Sequence, residues 1–525
     1  NYKYRVLVSV VFGVFMVVLD STVVNVAFQT LRHEYGASLS SAQWIISLYV
    51  LALGVATPVS GFLADRFGIK RTYITGLAGF VLGSFLCGLA PTLPLLVAAR
   101  ALQGLAGGIA LPLGSAQLLR AFPAHEQGKA LGLFGIVLVF APAIGPVLGG
   151  ALVDAGLWRW IFFINVPIGA LGVLLASRWL REFRSHREHR MDWPGLFTEA
   201  IGFGAILYGA ALAESSGWNA PRTLLWLGIG AGGLASFAVV ELFVAREPLL
   251  DLRLYAKRTF LVASLVGYVT VLALFGAEFM LPVYLQLLRG LSGLDAGLTL
   301  LPMAIAAGIA TPTAGRLYDR IGARPLLFIG FALLTFNTWQ FAQLDAVTPI
   351  GWIRFLLVVR GIALGLTVQT TFVTALSVVP SAALARGTSL VNALRNVTQS
   401  LGVAILAAVL ASTFSPTSRA IQLAYQDSGD VAGICVAARS DDGAAAAQAA
   451  RPGSAGVQRA GEVVLTAETL QRACDEGIAG FERAYHLTFV ASLIALLLGT
   501  LLPGWPGSWG GRVRHHIPEA RPEPA

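Results

Sequence analysis

Residues 61–71 read GFLADRFGIKR, and residues 315–325 read GRLYDRIGARP. The two stretches share two glycines, an Asp-Arg pair and a following basic residue at the same spacing, and each lies between two apolar runs. Membrane proteins built from two parallel sets of helices carry internal repeats of this kind. The repeat therefore predicts two copies of one helical unit.

The composition is typical of a protein embedded in a lipid bilayer. Hydrophobic residues make up 56% of the 525 residues and charged residues only 12%, whereas a soluble domain has about 25% charged residues. The net charge of +9 arises from short loops between apolar runs, where cations set topology and face anionic lipid headgroups. The composition indicates a polytopic membrane protein and gives no indication of nucleic-acid binding.

Apolar runs long enough to cross about 30 Å of hydrocarbon recur along the whole chain. They predict an all-α polytopic membrane fold with fourteen spans, an even number that puts both termini on one side. The predicted spans are 6–27, 42–63, 73–90, 95–116, 130–152, 160–180, 194–213, 223–244, 260–286, 295–315, 326–343, 352–378, 388–412 and 485–504.

Lys and Arg are concentrated in alternate loops, such as 66–71, 178–190 and 316–324, and are sparse in the loops between them. Because cationic loops stay in the cytoplasm, we expect both termini to be cytoplasmic and the long polar loop 413–484 to lie outside. The spans then divide the chain into six segments. These are an N-terminal six-helix bundle (1–190), two inserted transmembrane helices with a linker (191–258), C-terminal bundle helices 9–13 (259–412), the extracytoplasmic loop (413–484), the last transmembrane helix (485–504) and a cytoplasmic tail (505–525).

Each copy of the repeat places a carboxylate, cations and two glycines between two spans. We expect Asp65 to pair with Arg66 or Lys70, or to cap the N-terminus of a neighbouring helix, and thereby to latch one conformation. An ordinary cationic loop would explain the charges but not the matched spacing. The candidate gating residues are Gly61, Asp65, Arg66, Gly68, Lys70, Arg71, Asp319 and Arg320.

The repeat resembles the cytoplasmic loop motif of the major facilitator superfamily. Five further stretches resemble its fourteen-helix drug:proton antiporter family, the group of EmrB-like and QacA-like multidrug efflux transporters. These are LDSTVVNVA at 19–27, RALQGLAGG at 100–108, APAIGPVLGG at 141–150, WRWIFFINVPIG at 158–169 and LARGTSLVNALRN at 384–396. The resemblance implies two six-helix bundles plus two inserted helices, and a transporter that alternates between inward-open and outward-open states.

The stretch 141–150 resembles the antiporter motif of that family. In a membrane helix, prolines and glycines are tolerated and allow close approach of another backbone. We expect this helix to pack against the opposite bundle and to favour export over uptake. The candidate residues are Pro142, Gly145, Pro146, Gly149 and Gly150.

Three charged residues within the spans are candidates for proton coupling. Asp20 lies deep in the first span, and a carboxylate in hydrocarbon is a functional candidate by default; the alternative is a structural Asp bonded to Thr22 or to another helix. Arg100 enters its span to a matching depth, and the resemblance assigns it to proton transfer; the alternative is a snorkelling Arg. Glu278 lies toward the outer end of its span, as a second proton or cation site or as a solvated interfacial residue.

Polar residues within other spans are candidates for a substrate cavity. Asn392, Arg395, Asn396 and Gln399 share one helix face, which would line either a water-filled cavity or a contact between helices. Other candidate lining residues are Asn25, Gln29, Trp44, Tyr49 and Gln369. Aromatic cavities with few charges suit lipophilic cations.

Cys435 and Cys474 lie in the long polar loop, and outside the cell they could form a disulfide; two unrelated thiols are the alternative. No phosphate-binding loop, metal-ligand cluster or nucleophile motif stands out, so we expect no enzyme, no metal and no cofactor, with the proton gradient as the driving force.

The expected function is export of lipophilic or cationic drugs across the bacterial cytoplasmic (inner) membrane. Drug-like molecules, protons and the lipid bilayer are the expected partners, and some EmrB-like pumps also use a periplasmic adaptor and an outer-membrane channel. The alternative is a dedicated exporter or importer of one metabolite, lipid or antibiotic.

Overall fold

The computed structural model describes residues 2–37, 39–183, 192–217, 219–245, 250–380, 383–415, 417–418, 421, 433–439 and 467–502. The side chains of Gln29, Pro142, Pro146 and Glu278 lie outside the described part of the structure, as does the predicted tail 505–525.

Long helices make up almost all of the described chain, and no strand occurs in these residues. The long helices are α1 (Tyr2–Val26), α2 (Trp44–Phe67), α3 (Ile69–Leu89), α4 (Leu93–Ala121), α5 (Gln127–Asp154), α6 (Asn165–Trp179), α7 (Trp193–Ser216), α8 (Pro221–Val239), α9 (Arg258–Val283), α10 (Gly293–Ile321), α11 (Ala323–Phe341), α12 (Ile350–Leu376), α13 (Leu384–Thr413) and α14 (Ala467–Gly499). Short helical segments lie at Phe28–Glu34, Leu39–Ala42, Ala124–Glu126, Trp160–Phe163, Val240–Val244, Leu252–Ala256, Tyr284–Leu288 and Ile434–Ala437.

Within the described residues, nine helices are long and apolar enough to cross a membrane. The chain is therefore a multi-pass membrane protein, while the full set of fourteen spans remains a prediction. Helix α14 begins at Ala467, before the predicted start of the last span at Tyr485, which stays a prediction. Its first turns are polar on one side and bury Leu470, Ala473 and Cys474 on the other, so hydropathy alone does not detect them.

The helices pack as two groups that meet along a shared interface. In the first group α2 and α3 both pack on α4, and α1 packs on α5 and α6. In the second group α9 packs on α12, α13 and α14. The groups meet where α5 packs on α10 and where α2 packs on α13, and the pair α7–α8 lies beside this second contact because α7 touches both α2 and α13.

Glycines allow the backbones of α5 and α10 to approach closely. A Cβ atom at Gly128 would lie 2.5 Å from the carbonyl oxygen of Gly315, and a Cβ at Gly132 would lie 2.9 Å from the carbonyl oxygen of Thr311. Real Cβ contacts are longer, so these positions require glycine for the two helices to keep this distance.

The two ends of the helix bundle differ in chemistry. At one end, which we call the Asp65 end, lie the turn between α2 and α3 and the first residues of α1, α5 and α13. At the other, the disulfide end, Cys435 is bonded to Cys474. This bond joins residues 433–439 to α14, and both contact the buried side chains of Tyr284–Leu288.

Candidate functional site

A buried ion pair between Asp20 and Arg100 lies inside the first group of helices. Asp20 on α1 has 0% exposed surface and Arg100 on α4 has 1%. Arg100 Nη1 donates to Asp20 Oδ2 at 2.5 Å. Two amides donate to the other carboxylate oxygen, Gln103 Nε2 at 2.9 Å and Asn165 Nδ2 at 2.8 Å. Three helices, α1, α4 and α6, therefore meet at one carboxylate.

The guanidinium of Arg100 also connects this carboxylate to α2. Its Nε donates to the carbonyl oxygen of Ile45 at 3.2 Å, and its Cζ lies 3.9 Å from the ring centroid of Tyr49. Nη1 donates in addition to Gln103 Oε1 at 2.7 Å. A desolvated cation over an aromatic face is stabilised by the ring quadrupole, so α2 is bound to the ion pair by two different contacts.

A cation and two amide donors surround the carboxylate of Asp20, and hydrogen bonds to charged groups of this kind are short and strong. Removing one partner of such a buried pair typically costs 3–5 kcal/mol. Two other buried polar atoms in the cluster, Tyr49 Oη and Asn165 Oδ1, have no hydrogen-bond partner. Unsatisfied buried groups are destabilising, so a rearrangement that provides them with partners would be favoured at this point of the bundle.

For this site the sequence predicted Asp20 and Arg100, it named Tyr49 only as a candidate cavity residue, and it missed Gln103, Asn165 and Ser84. Asn165 Nδ2 donates to Ser84 Oγ at 3.0 Å, and Ser84 Oγ donates to the carbonyl oxygen of Phe162 at 2.9 Å. A signal existed for Gln103, which lies three residues after Arg100 and thus on the same helix face. Asn165 is the polar residue in the middle of WRWIFFINVPIG.

At the Asp65 end, Asp65 of α2 forms an ion pair with Arg386 of α13. Arg386 Nε donates to Asp65 Oδ2 at 2.6 Å, and the hydroxyls of Ser60 and Ser389 lie 2.7 Å apart on the same two helices. The expected pairing of Asp65 with Arg66 or Lys70 is wrong. The carboxylate faces away from its own loop and connects the two groups of helices.

The cations of the first copy of the repeat are bound within their own group. Lys70 Nζ donates to the carbonyl oxygen of Ser177 at 2.7 Å. Glu182 accepts from the backbone N–H groups of Lys70 and Arg71 at 3.0 and 3.1 Å and so caps the first turn of α3. Gly68 has a φ of +95°, which favours glycine at this turn.

The second copy contacts the opposite group in a different way. Asp319 of α10 accepts from the backbone N–H groups of Gly128 and Lys129, each at 3.0 Å. A carboxylate at a helix N-terminus is stabilised by the unpaired N–H groups and the helix dipole, so Asp319 caps α5. Arg320 is exposed, and Gly322 repeats the positive φ of Gly68 with +83°. Both copies therefore join the two groups at the same end.

Gly145 and Gly149 of the antiporter motif pack against α1, whereas the sequence-based expectation was a contact with the opposite group. A Cβ at Gly145 would lie 2.7 Å from Thr22 Cβ, and a Cβ at Gly149 would lie 3.1 Å from the carbonyl oxygen of Val23. Nothing lies within 4 Å of such an atom at Gly150. Helix α5 has two glycine faces, and it is Gly128 and Gly132 that approach the other group.

The candidate cavity residues are not gathered in one place. Trp44 stacks on Tyr208 of α7, with ring centroids 5.8 Å apart. Gln369 is buried, and a Cβ at Gly135 of α5 would lie 2.9 Å from its Cγ. Asn25 is exposed. These three residues thus lie in three different environments.

The polar residues that share one face of α13 have contacts within the second group of helices. Asn392 Nδ2 donates to the carbonyl oxygen of Thr388 on its own helix at 2.8 Å. Arg395 lines a small cavity between α9, α12 and α13, together with Ser264 and Tyr268. Asn396 and Gln399 are half-buried.

Comparison with known proteins gives a consistent assignment. The profile described as Major Facilitator Superfamily matches residues 10–403. The multidrug resistance protein Stp of Mycobacterium tuberculosis (strain CDC 1551 / Oshkosh) is 32% identical over 78% of this chain and 76% of its own. The lincomycin resistance protein LmrB of Bacillus subtilis (strain 168) is 29% identical over 78% of this chain and 86% of its own.

Among solved structures, the human organic anion transporter MFSD10 (TETRAN) superposes with a TM-score of 0.57 at 13% identity, covering 93% of this chain and 99% of its own. At this identity the likeness shows the fold alone. The family match and the multidrug and lincomycin resistance relatives agree with the drug:proton antiporter group recognised in the sequence, whose members are transporters and not enzymes. The chain belongs to the major facilitator superfamily.

Proposed function

We propose that the protein is a proton-coupled antiporter that exports lipophilic or cationic drug-like molecules by alternating access, without a cofactor and driven by the proton gradient. The observation that carries the proposal is the Asp20–Arg100 pair, a titratable carboxylate at 0% exposure connected to three other helices. The names of the relatives, multidrug and lincomycin resistance proteins, support this class of substrate.

The proposed topology follows the distribution of charges. The Asp65 end carries the cationic loops and is cytoplasmic, with both termini there and fourteen spans in total. The disulfide end then faces the oxidising side of a bacterial cytoplasmic membrane. If the cell has an outer membrane, this end is where a periplasmic adaptor and an outer-membrane channel would bind.

Helix α2 is the element that connects proton binding to the latch at the Asp65 end. Near its first turn it carries Ile45 and Tyr49, which contact Arg100. Near its last turn it carries Asp65, bound to Arg386. The twenty residues between Ile45 and Asp65 span about 30 Å at a rise of 1.5 Å per residue, so a tilt of one rigid helix would affect both sites.

The mechanism follows from these contacts. Protonation of Asp20 removes the anion that neutralises Arg100, and a buried cation without its partner is strongly destabilised. Arg100 then shifts and takes Ile45 and Tyr49 with it, so that α2 tilts and the Asp65–Arg386 pair separates. Opening at the cytoplasmic end exposes Asp20 for proton release and admits the drug. We also propose Glu278 as a further proton or cation site.

The test is proton release from vesicles that contain the purified protein, measured with a pH-sensitive dye while a panel of cationic and neutral drugs is added. We expect several chemically unrelated drugs to release protons and to compete with one another. The variant Asp20→Asn should abolish efflux driven by a pH gradient, whereas Glu468→Gln, which changes an exposed carboxylate on α14, should not.

Two results would contradict the proposal. Efflux by the Asp20→Asn variant at the wild-type rate would exclude Asp20 as the coupling site. Proton release by one compound only, without competition from the others, would indicate a dedicated transporter of a single metabolite, lipid or antibiotic.

A further inference from the structure

Three carboxylates lie together at the Asp65 end of the inserted helix pair, away from the Asp20 site. Asp192 directly precedes α7, and Glu199 lies in the second turn of that helix. Glu241 lies in the helical turn Val240–Val244 that extends α8. Helices α7 and α8 pack closely along their length, so this cluster lies where the two helices meet the segment that leads to α9.

The position of Gly195 shows that Asp192 and Glu241 approach the same face of α7. A Cβ at Gly195 would overlap Asp192 Oδ2 and would lie 3.2 Å from Glu241 Oε1. Glu199 follows Gly195 by four residues and therefore lies on the same face of α7. Glu241 Oε1, in the segment that extends α8, is thus directed at the face of α7 that carries Glu199.

Glu199 differs from every other carboxylate described above because it has no partner. It has 0% exposed surface, and neither of its carboxylate oxygens has a hydrogen bond. An ionised carboxylate buried without a donor is among the least favourable states of a side chain, and a bound proton removes that cost. The closest comparison is Asp20, which is equally buried but accepts three hydrogen bonds.

Glu241 has a different environment, which assigns it the opposite role. Its Oε1 accepts from the backbone N–H of Leu250 at 3.3 Å, and its negative charge acts on Glu199. A hydrogen bond from an N–H group favours the charged form, whereas a neighbouring like charge disfavours it. Two carboxylates in this arrangement hold one proton more readily than none or two.

A charge that neutralises Glu199 could come from the other helices packed against α7. Helix α2 carries Asp65 and Arg66, and α13 carries Arg386 and Arg395. Asp65 and Arg386 are bound to each other, and Glu241 is the charged residue whose field acts on Glu199. Among the residues that the structure describes, no group of His, Cys, Asp and Glu is arranged to hold a metal ion. A proton is therefore the ligand that the cluster suits.

We propose that Glu199 binds a proton while Glu241 stays charged, and that the inserted pair α7–α8 thereby forms a second proton-binding site, distinct from Asp20. Loss of this proton places two like charges between α7 and α8 and weakens their contact. Because α7 also packs on α2 and α13, the change occurs beside the two helices that carry the Asp65–Arg386 pair.

The test is an infrared pH titration of the full-length protein in lipid, which needs no transported substrate and is therefore independent of the proposed drug export. A protonated carboxyl group has a C=O stretching band that an ionised one lacks. We expect such a band in the wild type at pH 7, its loss in Glu199→Gln, and its retention in Glu482→Gln, which changes an exposed carboxylate on α14. In Glu241→Gln the band should disappear at a lower pH, because the repelling charge is gone.

Labelling with a hydrophobic carbodiimide, which modifies protonated carboxyl groups in apolar surroundings, identifies the residue on the unmutated chain. We expect the modification on Glu199 at pH 7 and its decrease at alkaline pH. A wild-type spectrum that is identical to that of a folded Glu199→Gln variant would overturn the proposal. If that variant does not fold, the labelled wild type decides. A peptide from it in which Glu199 is unmodified at both pH values would also overturn the proposal.

Discussion

Gly145 of α5 lies against Thr22 of α1, two residues after the buried Asp20. A Cβ at Gly145 would lie 2.7 Å from Thr22 Cβ, closer than side chains approach, and Gly149 is similarly close to the backbone of Val23. Gly145 and Gly149 therefore determine how near α5 comes to the segment of α1 that carries Asp20. On the proposed function, the motif acts on transport through the position of Asp20.

The variant Gly145→Val should reduce efflux strongly while leaving membrane insertion intact. The added methyl groups would force α1 away from α5 at a cost of about 1–3 kcal/mol, and Asp20 would move relative to Arg100. Efflux assays and quantification of membrane-inserted protein measure the effect. The matched control is Gly150→Val, since nothing lies within 4 Å of that position. Equal activity of the two variants would show that the contact with Thr22 is not needed.

The Asp65–Arg386 pair should control closure at its end of the bundle. Each variant Asp65→Asn or Arg386→Gln removes this ion pair, whereas the exchange of both residues, D65R with R386D, restores an ion pair. We expect efflux to fall by at least tenfold in the single variants and to recover in part in the exchange. Transport assays with the three variants, at matched expression, measure this. Full efflux activity in both single variants would show that the ion pair does not control closure.

Closure can also be measured by cross-linking at Ser60 and Ser389, whose hydroxyls lie 2.7 Å apart on α2 and α13. When an oxidant such as Cu(II)–phenanthroline is added to the purified protein, the double variant S60C/S389C should form a disulfide in the closed state, detectable by altered electrophoretic mobility before reduction. Adding Asp65→Asn should lower the cross-linked fraction severalfold. An unchanged fraction would show that the two helices remain together without the ion pair.

The bond between Cys435 and Cys474 should stabilise the protein considerably. It closes a loop across a sequence separation of 39 residues, for which loop-closure entropy gives about 4 kcal/mol. We expect reductant to lower the Tm of the purified wild type, and C435S/C474S to show the lower Tm with or without reductant. The buried free thiol of Cys87 provides the control, because Cys87→Ser should leave the response to reductant unchanged.

The contact between Lys3 and Glu126 predicts a pH dependence at the Asp65 end. The hydrogen bond from Lys3 lowers the pKa of Glu126 below its ordinary value, so the pair stabilises the fold above the pKa that Glu126 has in the unfolded chain. The contribution is lost as pH falls through the lowered pKa of the folded state. As pH falls from above the ordinary pKa of Glu, about 4.3, to below the lowered pKa of the folded state, the Tm of E126Q should vary less with pH than that of the wild type. A parallel pH dependence in both proteins would contradict this.

Much of the site could be predicted because the sequence shows how deep a charged residue lies within its span and how far apart the repeated motifs are. The depth of Asp20 and Arg100 along their spans predicted that they could meet, and the repeat predicted that Asp65 and Asp319 lie at one end. Partners could not be predicted in the same way. Arg386 is 321 residues from Asp65, and no periodicity connects them. A helix pattern shows which residues share a face, but it does not show which neighbour that face meets.

The same limit explains the error for α5. The glycines of α5 lie on two faces, and the sequence did not indicate that Gly145 faces α1 while Gly128 faces α10. Helix α14 extends before the predicted last span, back to Ala467, because its first turns are amphipathic and not apolar. Gln103 and Asn165 were missed because a single amide in an apolar helix is as often a contact between helices as part of a site.

The cysteine bridge has a consequence for biogenesis. On the proposed topology its two thiols lie outside the cytoplasm, and they become oxidised only after that part of the chain has reached an oxidising compartment. A molecule that inserts in the reverse orientation would keep both thiols reduced. The bridge is therefore a covalent record of correct insertion, and the fraction of chains whose two thiols resist alkylation before reduction measures the accuracy of membrane assembly in the living cell.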